Sequence, residues 1–224
     1  MTIASSSRRL AILEAATRLF EHYGHGKTTI ADVAREAQIG VGTVYLEFES
    51  KEAIVRELSR STHVTVLEAM RAASEDGGDH AARLAAVLHA RTSSFVDLGK
   101  KGQHACELVH CKTEGVRTAH KRFGEEERGL IATLVKEGQD AGVFAAGAPT
   151  SIATLIQRAF ASLSPPWIFG CDEDPVRASK DLCQLLLHGL LASSPAGNAS
   201  RARSAAAKSR ATSVPARKTT RRSR

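Results

Sequence analysis

Apolar residues recur at three- and four-residue spacing along most of the chain, and no stretch alternates with period two. The pattern predicts helices and no strands. Leu10, Leu13, Ala16, Leu19, Phe20 and Tyr23 make one stripe over a first helix at residues 7–23, which Gly24 and Gly26 end. A second predicted helix runs to residue 37 and buries Ile30, Val33, Ala34 and Ala37. Thr29 is its expected N-cap, with Asp32 three residues on as the reciprocal partner. Residues 38–40 form a tight turn. A third helix, 41–48, buries Val44 and Phe48 and leaves Val41, Thr43, Tyr45, Leu46 and Glu47 outside. Ser50 caps a fourth, which reaches about residue 74. Two short helices joined by a tight turn are the layout of a helix-turn-helix, at about 29–48, whose second helix lies in the DNA major groove.

Beyond Gly77 and Gly78 the helical spacing resumes. Helices are expected at 79–98, at 103–112 as a short piece, and at 116–139. Pro149 opens the next, where its missing N–H costs little, and that helix carries Ile152, Leu155, Ile156, Ala159 and Leu163 before Pro165 and Pro166 stop it. The last predicted helix spans 174–191, and its second half is apolar on almost every side. A surface helix is half polar, so this one is expected against its own core and a second protomer. The fold class is all-α.

Charge changes the picture at one end. The formal net charge is +7, yet residues 196–224 hold nine Lys or Arg and no acid, which leaves residues 1–195 at −2. Residues 1–58 carry seven Lys or Arg against eight Asp or Glu. The segment 196–224 has Val214 as its one large apolar residue, too little to offset ordering entropy, and is expected to be disordered. No apolar run approaches the roughly 20 residues that span a bilayer. Glu14 and Arg18 interrupt the N-terminal apolar segment, so no secretory signal is expected. The expected location is cytoplasmic, with Cys106, Cys111, Cys171 and Cys183 reduced.

Candidate chemistry is sparse. His104, Cys106, His110 and Cys111 are the one metal-like cluster. Only Cys106 and His110 are spaced as a ligand pair on a helix, so core thiols and half-exposed histidines are the expected account, with no metal and no cofactor. Phe95, Phe123 and Trp167, with Phe160 and Phe169 beside them, are candidates to line an apolar effector pocket, or simply core. There is no glycine-rich phosphate loop, no GxSxG elbow and no clustered carboxylate pair, and no enzyme is expected.

Three segments carry a family resemblance: the end of the first helix, LF; the run TTIADVAREA; and GVGTVYLEFESKEAI. They resemble the N-terminal domain of the tetracycline-repressor (TetR) family of bacterial transcription regulators, closely over about residues 8–58. The resemblance implies a homodimer of nine-helix protomers whose last two helices pair across the two-fold axis. It also implies a ligand pocket among the middle helices and a fourth helix that shifts on ligand entry to release DNA. The implied domains are a helix-turn-helix domain at 6–66, an effector-binding and dimerisation domain at 67–195, and the basic tail at 196–224. The implied partners are a palindromic DNA operator and a small-molecule effector, with no membrane. Thr29, Val41, Gly42, Thr43, Tyr45, Leu46, Glu47 and Lys51 are the expected DNA-binding residues, with Thr29 and Lys51 on phosphate.

Two positions depart from the family pattern. Gln38 stands where glycine is frequent, and a left-handed backbone there costs on the order of 1–2 kcal/mol. Leu46-Glu47 stands where aromatic, histidine or basic residues are usual. An exposed leucine suits a thymine methyl, whereas a glutamate accepts from a cytosine amino group or repels phosphate. The rival expectation is an architectural, DNA-coating protein driven by the tail.

Overall fold

The computed structural model describes residues 2–75, 77–110, 112–170 and 172–189, the first four in backbone only. Its helices are α1 (Thr2–Tyr23), α2 (Ile30–Glu36), α3 (Val41–Glu47), α4 (Lys51–Glu75), α5 (His80–Lys100), α6 (Glu114–Asp140), α7 (Pro149–Ala159) and α8 (Pro175–His188). Short 3-10 turns lie at Ala105–Leu108, Phe160–Leu163 and Trp167–Gly170. No strand occurs among the described residues, as the spacing predicts. Eight α-helices stand there against the nine expected for a protomer. The helices through Leu187 belong to one unit; of a second, from His188 onward, only His188 and Gly189 are described, so the tail 196–224 lies outside the described residues.

Two hydrophobic cores organise the first unit. The head core takes Ile12, Ala15, Ala16 and Phe20 from α1, Val33 and Ala34 from α2, Val44 and Phe48 around α3, and Ile54, Val55 and Leu58 from α4. The body core is built around Val66, Leu67 and Met70 of α4, Val87 and Phe95 of α5, and Phe123, Ile131 and Leu134 of α6. The helix α4 therefore serves both cores with successive stretches of one apolar face. Leu108 and Val116, far along the chain, also sit in the head core. The head rests on the 3-10 turn at 105–108 and on the start of α6.

Several expectations are corrected. The buried stripe of α1 is Ile12, Ala15, Ala16 and Phe20, while Leu10 and Tyr23 are exposed. Alanine at 15 and 16 lets α1 approach its neighbours closely, which rotates the larger side chains to the flank. The piece at 103–112 is a 3-10 turn rather than an α-helix. It is drawn against α1, where the His104 amide donates to the Glu21 carbonyl at 3.0 Å. Gly102 fits there because a Cβ would lie 2.4 Å from that same oxygen. α7 stops at Ala159 instead of reaching 163, and the carbonyl of Leu163 accepts from Arg91 at 3.1 Å.

Candidate nucleic-acid interface

The helix-turn-helix is fixed by local chemistry at each joint. Thr29 and Asp32 form the reciprocal capping box of α2: the Asp32 amide donates to Thr29 Oγ1 at 3.2 Å and the Thr29 amide to Asp32 Oδ2 at 3.0 Å. The Thr29 hydroxyl also donates to that carboxylate at 2.6 Å, so its proton is already engaged. Together these bonds hold the Asp32 carboxyl below the usual carboxylate range, the Thr29 hydroxyl contributing most. In the turn, Gln38 has φ 56°, the left-handed backbone expected of it. The Ile39 amide closes the turn on the Ala34 carbonyl at 3.0 Å. Ser50 Oγ caps α4 by accepting from the Ala53 amide at 3.1 Å.

Inward, α3 is held by Val44 and Phe48. Outward it shows Val41 (42% exposed), Tyr45 (54%) and Leu46 (81%), with Gly42 exposed and Thr43 half-buried. Glu47 departs from expectation. Its side chain is only 11% exposed, and its carboxylate lies 3.4 Å from Arg8 Nε. The carbonyl of Glu47 accepts from Arg9 at 2.9 Å, and the Arg9 guanidinium stacks over the Phe48 ring at 4.0 Å. The two arginines of α1 thus clamp the end of α3 and turn Glu47 away from the exposed face. Sequence reasoning missed Arg8 and Arg9, because their partners lie some forty residues on and no spacing rule links them.

Lys51 has a structural explanation for its unfavourable place at a helix N-terminus. Its ammonium donates to the carbonyls of His25 at 2.8 Å and Thr28 at 3.1 Å, pinning the α1–α2 loop to α4. One of its three N–H donors is left over. Five of the seven basic residues of the head are in ion pairs: Arg8 with Glu47, Arg9 with Glu57, Arg18 with Glu36, Arg35 with Asp32 and Arg56 with Glu49.

The same loop is latched from the other side. Glu107 accepts from the His25 amide at 3.0 Å, and its two oxygens meet the Nδ1 atoms of His25 at 3.0 Å and His104 at 2.8 Å. Burial opposes ionisation of Glu107, but the bonds from His25 and His104 outweigh it and hold the carboxyl below its ordinary range. Among the described residues no group of three or more His, Cys, Asp or Glu is arranged to hold a metal ion; Cys111 is not among them.

Of the aromatic pocket candidates, Phe123 and Trp167 line one cavity of about 310 Å³ between α5, α6 and the turns after α7. Phe95 lies behind, packed edge-on against Phe123 at 5.7 Å between centroids. Trp167 is 70% exposed at the mouth. The cavity is more polar than expected. Arg91 and Glu127, both buried, form an ion pair in its wall. Arg91 also donates to Ser164 Oγ at 2.7 Å, and Gln157 donates to Glu127 Oε2 at 2.7 Å. Glu127 sits in the acidic run GEEERG, which reads as a solvated face, and nothing in the sequence marks it as buried.

An all-helical fold among the described residues, with a helix-turn-helix whose second helix keeps its outer face open, is the architecture of a DNA-binding regulator. Residues 12–58 match the family described as bacterial regulatory proteins, tetR family. The chain is 23% identical over 167 residues to the HTH-type transcriptional regulator YhgD of Bacillus subtilis (strain 168), spanning 73% of this chain and 85% of that one. It is 27% identical over 172 residues to the HTH-type transcriptional repressor KstR2 of Rhodococcus jostii (strain RHA1), spanning 74% and 82% respectively. The fold is shared with the transcriptional regulator FadR of Bacillus subtilis, solved in complex with stearoyl-CoA, at a TM-score of 0.65 and 18% identity over 81% of this chain and 99% of that one. Residues 12–58 thus carry a tetR-family DNA-binding domain, and over about three quarters of its length the chain is similar to transcriptional regulators. No helix among the described residues is long and apolar enough to cross a membrane.

Proposed function

We propose that the protein is a homodimeric repressor that holds a palindromic operator with two copies of α3 and lets go when a small molecule enters the body. The observation that carries this is α3 itself: its inner face is locked by Val44, Phe48 and the Arg8–Arg9 clamp, while its outer face is open. A rigid helix presented this way suits the major groove. Val41, Gly42, Thr43, Tyr45 and Leu46 face the bases and groove rim, Lys51 offers its remaining donor to phosphate, and Thr29 holds α2 in place. Leu155 and Leu186, exposed on α7 and α8, supply an apolar face for the second protomer.

Release follows from how the head is seated. Val116 of α6 is in the head core, while Phe123 and Glu127 of the same helix line the Trp167 cavity. A ligand that displaces α6 there moves the seat of the head and, through α4, the spacing of the two reading helices. FadR with stearoyl-CoA is a fold relative caught with a small molecule. A footprint of the full chain on genomic fragments tests the reading: a short, two-fold symmetric protected site is expected. Continuous coverage without sequence preference overturns it in favour of the DNA-coating alternative.

The head's charge balance supports a role for the tail. Its arginines are engaged by acids, yet phosphate neutralisation supplies most non-specific DNA affinity. The nine basic residues of 196–224 are the available source. Deleting that segment is expected to flatten the salt dependence of DNA binding; an unchanged slope removes the idea.

A further inference from the structure

The outward face of α3 is unusual in what it lacks. Bases are read in the major groove by arginine or lysine on guanine, by asparagine or glutamine on adenine, and by carboxylates on the cytosine amino group. None of these stands on the exposed face. The one candidate, Glu47, is paired with Arg8 and largely buried. What remains is Leu46, Val41, Tyr45, the half-buried Thr43 and a glycine.

Leu46 and Gly42 are four residues apart, so they share one stripe of the helix. A Cβ at Gly42 would meet nothing within 4 Å, so the side of Leu46 toward Gly42 is bare. A base edge can come close to the backbone at that point and meet the leucine side-on. Val41 and Tyr45, also four apart, form the flanking stripe. The one apolar group that a base pair shows in the major groove is the C5-methyl of thymine.

On the reading of α3 as a major-groove helix, we propose that sequence discrimination is carried by thymine 5-methyl groups packed against Leu46, with Val41 as the secondary contact. Tyr45 and Thr43 contribute hydroxyls at the groove rim. The other exposed α3 side chains offer no group suited to bidentate pairing with guanine or adenine.

The test uses the full chain and a duplex enriched by it from a random pool. Each thymidine of that duplex is replaced in turn by deoxyuridine, which removes the methyl and nothing else. One or two positions per half-site are expected to lose roughly fourfold in affinity, the worth of one buried methyl. Cytosine at such a position is expected to bind more weakly than 5-methylcytosine. Leu46→Ala is expected to bind the thymidine and deoxyuridine duplexes equally. Leu46 is exposed, so truncating it leaves the core intact. Specific binding that ignores every deoxyuridine replacement overturns the methyl reading and leaves the DNA reading standing. A Leu46→Ala variant that still tells thymidine from deoxyuridine overturns the assignment to Leu46. Failure to enrich any sequence overturns the DNA reading and this inference with it.

Discussion

Head and body differ in how deeply they bury charge. In the head the paired arginines stay solvated, and where Arg18 meets Glu36 and Arg56 meets Glu49 both partners are. In the body, Arg91 and Glu127 pair inside the fold, and His63 and Ser59 of α4 are buried with side-chain atoms that have no hydrogen-bond partner. A surface pair contributes little to stability. A buried charge is costly once its partner is removed. The head is thus insensitive to loss of these solvated pairs, while the body is sensitive to loss of either member of its buried pair. That division suits the proposed function, in which the body responds to a ligand and the head holds its shape.

The largest expected effect is on the buried pair. Glu127→Ala leaves the Arg91 guanidinium unpaired in the interior and orphans Gln157 Nε2 from its carboxylate. A loss of about 3–5 kcal/mol is expected in urea unfolding at neutral pH. Replacing both partners, Arg91→Met with Glu127→Leu, should recover most of it. A cost under about 1 kcal/mol for the single variant, the range of surface pairs, would erase the contrast between the two regions.

Next in size is the acid sensitivity of the body. Burial drives His63 down to about 4, against a gain from the Ser59 carbonyl and a further loss from His120. His120 is lowered too, again by burial first. Phe123 completes the surroundings of both rings. The unfolded chain takes up the proton near the ordinary histidine value of about 6.5, where the folded chain does not. Stability is therefore full above that value and falls as pH drops toward 4, by at most about 1.4 kcal/mol per pH unit for each of the two histidines. From His63 alone, unfolding at pH 5 should be about 2 kcal/mol easier than at pH 7.5. His63→Gln should flatten most of that slope; an unaltered slope would place the sensitivity elsewhere.

The head was far more legible in the sequence than the body, and the reason is range. Thr29 with Asp32, Gln38 in the turn and Ser50 before Ala53 are contacts within five residues, and each is a rule of local backbone chemistry. The Arg91–Glu127 pair spans 36 residues and Arg8–Glu47 spans 39, and no local rule reaches so far. The apolar stripe of α1 held at Ala16 and Phe20 but took in the exposed Leu10 and Tyr23, because periodicity favours large residues, whereas the packing chose Ile12 and Ala15. Of the candidate reading residues, Leu46 and Tyr45 stand exposed as expected. Glu47 does not, because a partner from another helix decided its direction.

The smallest effect is expected where the head pairs its charges in solvent. Arg18 Nε lies 2.9 Å from Glu36 Oε1, linking α1 to the end of α2, with side chains 58% and 40% exposed. Geometry this good would suggest a strut, but water screens both groups and two long side chains are ordered to make it. Arg18→Ala should change unfolding by about 0.5 kcal/mol or less. Glu36→Ala should be equally mild in stability, yet it frees a cation. If that cation lies within reach of DNA, the salt slope of non-specific binding should steepen by up to about 0.9 in log units. A stability loss above about 1 kcal/mol from either variant would show that the head, too, is held by its charges. Mild stability with a steeper slope would show instead that the pairs keep the reading head near neutral, so that discrimination falls to the uncharged face of α3.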